Sequence, residues 1–290
     1  MTYGGIRSRP EPTLLTDRAA KYLEKGPADV VDLIGHICNL PAAPRIVAEH
    51  MAQAMFAGRP EFVCDPLGRW TLTTLRLPAQ PLAGLSYAVV DVETTGGRPP
   101  ADRITEIAAV IVRDGEVKEM FETLVNPERS IPRFITQLTN ISWEMVKDAP
   151  TFSVIAPEVM QALAGNVFVA HNAAFDWKFV SHEINRASGT QLFGRRLCTV
   201  RLARRLLPHL PRRSLDYVAN YYGVEIAGRH RAAGDALATA HCLIRLLDDA
   251  AQRGCTTWED LDLLLGARSP RAKKKRRSAF PSPVNRDTTA

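Results

Sequence analysis

The sequence has no two cysteines spaced as Cys-x-x-Cys, and no apolar run approaching the ~18 residues a membrane-spanning helix needs. Its five cysteines, Cys38, Cys64, Cys198, Cys242 and Cys255, are odd in number and widely scattered. That pattern argues against a disulfide framework and a thiolate zinc site, and leaves reduced, mostly buried thiols. Met1 to Pro12 carries charge and prolines without an apolar stretch behind a basic start, so no signal peptide is expected and the cytoplasm is the expected compartment. No internal repeat is visible.

What is present is an ordinary globular composition, 46% hydrophobic and 23% charged over 290 residues, long enough to bury at least one full core. Disorder of the whole chain is thereby excluded. The formal charge of +6 is concentrated at one end. Between Gly266 and Ala290, eight cations (Arg268, Arg271, Lys273, Lys274, Lys275, Arg276, Arg277 and Arg286) face only Asp287, a net +7, so the preceding 265 residues carry −1. A Ser-, Pro- and Ala-rich stretch of this kind is expected to be disordered and to attract polyphosphates, although on charge alone a solvated solubility tail explains it equally well.

Three amphipathic patterns occupy the first sixty residues. One follows Thr16 with Ala19, Tyr22 and Leu23 on one face, one follows Asp29 with Val30, Leu33, Ile34 and Ile37 in register, and one runs from Pro44 to Gly58. Phe62, Cys64, Trp70 and Leu72 then alternate about Asp65-Pro66-Leu67-Gly68, a hairpin pattern. Three helices and a hairpin in this order resemble a winged helix, which gives residues 1–80 as a small winged-helix-like domain. Its third helix offers Arg45 and His50 but also Glu49, so protein docking is favoured over base reading. Leu77 to Pro81 reads as a linker.

From Leu85 the pattern changes to an α/β domain with a mixed sheet. Tyr87–Val90, Ile104–Val112 and Val117–Val125 read as antiparallel strands, and 167–170 as a short one. Helices are expected over 152–163, 173–187, 214–222 and 231–250, with Ser214 as a cap. A last pattern opens with Thr256, which with Glu259 forms an expected capping box.

The chemistry concentrates in three places. Asp91 and Glu93 lie two apart at the end of the first strand and so project from one face, where two desolvated carboxylates call for a cation such as Mg²⁺ or Mn²⁺. Asp176 falls in the first turn of a helix that follows His171-Asn172, a place that also suits an acid serving the helix dipole. Asp235 sits among Ala232, Ala236, Ala240 and Leu243 on what should be a packing face, where a metal accounts for an acid better than solvent does, and His230 stands just outside the same helix.

The segments 90–96 (Val-Asp-Val-Glu-Thr-Thr-Gly), 170–176 (Ala-His-Asn-Ala-Ala-Phe-Asp) and 230–236 (His-Arg-Ala-Ala-Gly-Asp-Ala) resemble the three motifs of the DEDDh exonuclease family, which includes the proofreading epsilon subunit of bacterial DNA polymerase III. Arg103–Ala108, Leu138–Ser142 and Ser214–Ala219 support the resemblance. It implies an RNase H-like exonuclease domain over 85–265, followed by a basic tail over 266–290. It further implies a two-metal-ion 3′-to-5′ phosphodiester hydrolase using Mg²⁺ or Mn²⁺. By resemblance Asp91, Glu93, Asp176 and Asp235 hold the metals and His230 is the general base. Glu93, Thr94, Thr95, Thr139, Phe175 and His230 would meet the substrate.

His171 and Asn172 are expected to brace the second motif. The expected substrate is the 3′ end of DNA, single-stranded or frayed, in replication proofreading or repair. The basic tail would hold phosphates, and the first domain would contact a polymerase or repair protein. An RNA-trimming activity and a non-catalytic DNA-binding or scaffold protein are the alternatives.

Overall fold

The computed structural model describes residues 5–41, 43–72 and 80–266. The basic tail beyond Gly266 and most of the linker lie outside these residues.

The chain opens with β1 (Arg7–Pro10) and continues through α1 (Leu14–Leu23), β2 (Ala28–Asp29), α2 (Val30–Cys38), α3 (Arg45–Phe56), β3 (Phe62–Cys64) and β4 (Arg69–Leu72). The three helices and the small sheet β2-β4-β3 enclose their own core of Leu33, Ile34, Ile37, Ala48, Phe56 and Phe62. Helix α1 begins three residues before the expected start: Thr13 is its N-cap, and Thr16 is the reciprocal partner in a capping box. Although β1 precedes this unit in the chain, it pairs antiparallel with a strand far downstream, described below.

After a 3₁₀ turn at Leu82–Gly84, the second part contains β5 (Tyr87–Thr94), β6 (Ile104–Arg113), β7 (Glu116–Leu124), α4 (Arg133–Thr139), α5 (Trp143–Val146), α6 (Phe152–Leu163) and β8 (Val167–Ala170). Then follow α7 (Ala173–Ser188), β9 (Thr190–Phe193), β10 (Arg196–Cys198), α8 (Thr199–Leu206), α9 (Leu215–Tyr222), α10 (Ala232–Gln252) and α11 (Trp258–Gly266). The five-stranded sheet has the order β10-β8-β5-β6-β7. Strands β5, β6 and β7 are antiparallel neighbours, whereas β8 runs parallel to β5 and β10 parallel to β8, so the sheet is mixed. Strand β9 is the partner of β1.

Period-two alternation assigns the faces of β5. Tyr87 and Val89 join the core under α8, α9, α10 and α11, whereas Ala88, Val90 and Val92 join the core under α6 and α7. Asp91 and Glu93 continue the first parity, toward the face that α10 covers. Two end signals differ from expectation. Ser214 is the N-cap of α9 but makes no side-chain capping bond, and the last helix is capped by Thr257 with Asp260 rather than by Thr256 with Glu259. Glu259 instead accepts the Gln80 amide.

Candidate active site

β5 delivers Asp91 and Glu93, and the first turn of α10 delivers Asp235, so that one carboxylate oxygen from each lies within 4.8 Å of the others. Helix α10 presents Asp235 inward because its neighbours on that stripe, Ala232, Ala236, Ala240 and Leu243, are fully buried against the sheet. Gly234 permits the approach of the preceding loop. A Cβ there would stand 1.8 Å from the Ala227 carbonyl oxygen, so residues 227–230 can cross the start of α10 only over a glycine.

Asp176 enters from the other side of β5, in the first turn of α7, with 4% of its surface exposed. The turn into α7 passes through Asn172, whose φ of 97° is left-handed, and the Asn172 carbonyl accepts the Phe175 amide at 2.8 Å. His171 braces this turn, as expected. Its Nε2 donates to the Arg213 carbonyl and its Nδ1 pairs with the Thr199 hydroxyl, both at 2.9 Å. Burial pushes the His171 pKa down to about 4, so the ring is neutral and tied at both nitrogens.

The acids raise one another's affinity for protons. Burial is the leading cause throughout. It lifts Asp91 well above the usual carboxylate range, with Asp176, Glu93 and Asp235 adding like-charge repulsion. Glu93 is pushed up to about 7 by burial and then by Asp235 and Glu106. Asp176 also rises to about 7 through burial, against the pull of backbone amides at Asp176 and Val92. Asp235 is raised by burial and held back by Arg229.

The donor set fits a hard divalent cation. It consists entirely of carboxylate oxygens, and Asp235 Oδ1 is buried with no hydrogen-bond partner while Oδ2 accepts from Arg229 and from the His230 amide. His230 stands at the mouth of α10 with φ 62°, a left-handed conformation sparsely adopted by non-glycine residues. Its side chain is half-buried.

Thr94, Thr95 and Phe175 flank the acids in sequence and are fixed locally. The Thr94 hydroxyl donates to the Gly96 carbonyl, the Thr95 hydroxyl accepts the Arg103 amide, and Phe175 packs on Phe179. Thr95 and Thr139 depart from their expected contact with substrate, each being 1% exposed with its hydroxyl occupied inside the fold. The Thr139 hydroxyl donates to the Ile135 carbonyl and accepts the Ile141 amide, so it closes the end of α4.

Three residues of the site were missed by sequence reasoning: Arg229, which bonds Asp235; Glu106, buried opposite Glu93 across the β5–β6 ladder; and Arg231, which pairs with Glu106. An acid at an inward strand position beside a motif arginine was the available signal for the last two.

A family model described as Exonuclease matches residues 88–243, which contain all four acids and His230. The chain belongs to this exonuclease family. The family uses divalent metal ions, in keeping with the acidic cluster of Asp91, Glu93 and Asp235. Among curated relatives of this exonuclease domain, a PolC-type DNA polymerase III of Clostridium perfringens is 42% identical over 157 residues, 54% of this chain and 11% of that protein. The epsilon subunit of DNA polymerase III from Aquifex aeolicus is 35% identical over 164 residues, 57% of this chain and 81% of that subunit. The chain thus spans a small fraction of the polymerase and most of the subunit. Among solved structures, Exonuclease X in complex with 5′ overhanging duplex DNA is 29% identical, covers 63% of this chain and 99% of its own, and superposes with a TM-score of 0.50. The mixed sheet and its flanking helices are therefore the RNase H-like exonuclease fold.

Proposed function

We propose that this protein is a metal-dependent 3′-to-5′ exonuclease that releases nucleoside 5′-monophosphates from the 3′ end of DNA, single-stranded or frayed, in replication proofreading or repair. The observation that carries this reading is the convergence of Asp91, Glu93 and Asp235 within 4.8 Å, beside a buried and unpartnered Asp235 oxygen, in a chain of the exonuclease family. Asp91, Glu93, Asp176 and Asp235 would hold Mg²⁺ or Mn²⁺, whose oxygen-ligand preference they match. Divalent ions there would supply charge neutralisation and Lewis-acid polarisation at a phosphodiester. The His230 imidazole would take the proton of the attacking water. The backbone at Glu93 and Thr94, at the end of β5, would meet the terminal nucleotide, and Phe175 would pack near its base.

DNA is favoured as substrate because Exonuclease X carries DNA in its complex and the relatives include DNA polymerase III subunits. Around the nuclease part, the same reading makes residues 1–80 a winged-helix-like domain that docks a polymerase or repair protein, a reading supported by the three helices and the small sheet β2-β4-β3. It gives the basic tail the phosphate backbone as its partner. A cytoplasmic location belongs to this reading too. Among the described residues no helix is long and apolar enough to cross a membrane.

The test is a single-turnover assay on matched 5′-labelled DNA and RNA, single-stranded and duplex, with Mg²⁺, Mn²⁺ or EDTA. A ladder shortening from the 3′ end of DNA, abolished by EDTA and in Asp91→Ala, is expected. Hydrolysis that survives in Asp91→Ala overturns the assignment, and a faster ladder on RNA than on DNA replaces the substrate.

A further inference from the structure

The acid cluster already contains one cation. Arg229 Nη1 donates to Asp235 Oδ2, while its Nε and Nη2 reach Oδ1 and Oδ2 of Asp216 at 2.9 and 3.3 Å. The guanidinium therefore bridges one acid of the cluster and one acid outside it, in the first turn of α9. Asp235 is 5% exposed, whereas the Asp216 side chain is 58% exposed. One end of the bridge thus sits in the dry site and the other in solvent.

A divalent ion and a guanidinium compete for the negative charge of Asp235. Mg²⁺-type ligation places the ion ~2.1 Å from a carboxylate oxygen. On Oδ2 the ion would have to displace Arg229; on Oδ1 it would lie beside an undisplaced positive charge across one carboxylate. Both arrangements oppose the metal by like-charge repulsion in a poorly solvated site. Asp216 supplies the alternative resting place, since it already accepts two of the three donors.

We propose that Arg229 is a built-in counter-cation that holds Asp235 in the metal-free enzyme, competes with the divalent ion for it, and withdraws onto Asp216 when the ion binds. The inference rests on the metal-dependent reading above. It makes the Asp216–Arg229–Asp235 bridge a threshold on metal loading: the charge of Asp235 is compensated when the site is empty, and the ion must compete with Arg229 to enter. Arg229 is here a positioning residue, acting through Asp235.

The test is direct Mn²⁺ binding by the full chain, read from loss of the free-ion electron paramagnetic resonance signal at fixed pH. Arg229→Gln, which keeps most of the side-chain stem, is expected to tighten Mn²⁺ binding roughly tenfold, the size of an opposite charge removed from contact. Asp216→Asn is expected to weaken binding severalfold by leaving Arg229 with Asp235 alone. A simple through-space field of Asp216 predicts the same sign, so the double variant decides. If Asp216 acts through Arg229, Asp216→Asn has no effect in the Arg229→Gln background; if the two effects add, the bridge is not the device.

A second readout is thermal stability. In EDTA at neutral pH, Arg229→Gln is expected to lower the Tm, and replacing EDTA with saturating Mn²⁺ is expected to raise it by more than in the parent. Mn²⁺ binding unchanged or weakened in Arg229→Gln overturns the proposal and leaves the nuclease assignment standing. Absence of Mn²⁺ binding to the parent chain overturns both.

Discussion

Arg231 is locked to Glu106: its Nε donates to both carboxylate oxygens at 3.0 and 3.1 Å, and the Ala232 amide adds a bond at 2.8 Å. One buried acid on β6 thus anchors the first turn of α10, the turn that sets both His230 and Asp235. Glu106 also stands opposite Glu93 in the β5–β6 ladder, so Arg231 neutralises a charge that otherwise bears on a site acid.

Glu106→Gln keeps the size of the anchor and removes its charge. It is expected to lower kcat about 10- to 100-fold, the usual cost of losing a group that orients ligands from behind, with KM for a short oligonucleotide changed far less. Steady-state kinetics on a 5′-labelled substrate checks this. A KM effect with kcat intact would assign Glu106 to substrate binding instead. Arg231→Lys should resemble Glu106→Gln, because an ammonium cannot reproduce the multi-point contact.

Glu93 and Asp176 have pKa values near 7, above the values of 4.5 and 3.8 expected for these side chains in the unfolded chain. In that window the folded, metal-free protein binds more protons than the unfolded chain, so this contribution to stability is present at low pH and is lost as pH rises through about 7. Metal binding needs the deprotonated acids and has the opposite slope. The rise in Tm on adding Mn²⁺, measured against EDTA at each pH, is therefore expected to be small at pH 5.5 and large at pH 8. A metal-induced rise independent of pH would mean that these carboxylates are not the ligands.

Arg103 ties the turn after the first motif to α7. Its Nε and Nη2 pair with both oxygens of Glu183, which is 1% exposed, and Nη2 also reaches Glu128 at 3.1 Å. Glu183 lies seven residues, or about two helical turns, beyond Asp176 on the same helix. Arg103→Leu strands a buried carboxylate and is expected to cost ~3–5 kcal/mol in urea unfolding. Arg103→Leu with Glu183→Leu should recover most of that loss. If the single variant is as stable as the parent, the pair does not hold α7.

The clustered acids were legible because their positions obey local rules. Strand parity puts Asp91 and Glu93 together, and an alanine-rich stripe turns Asp235 inward. What stayed hidden depends on partners distant in the chain. Nothing near Arg229 indicates that it reaches Asp216 as well as Asp235. Thr139 reads as a polar residue in a motif-like stretch, yet Ile135 and Ile141 occupy its hydroxyl. The capping box of α11 was displaced by one residue because Thr256-Thr257 and Glu259-Asp260 offer two equivalent registers, and Arg195 and Gln80 both engage Glu259, leaving Thr257 and Asp260 to cap the helix.

The pairing of β1 with β9 has a mechanical consequence. Ile6 is buried in the nuclease core and bridges to Ala164, Arg9 pairs with Glu61 of the helical unit, and at the other end the Gln80 carbonyl accepts the Trp258 amide and the Leu82 amide donates to the Thr256 carbonyl at the start of α11. The helical unit is thus attached to the nuclease before it and after it. A chain cut at the linker to isolate the nuclease would therefore take Ile6, a buried part of the nuclease core, away with the discarded piece.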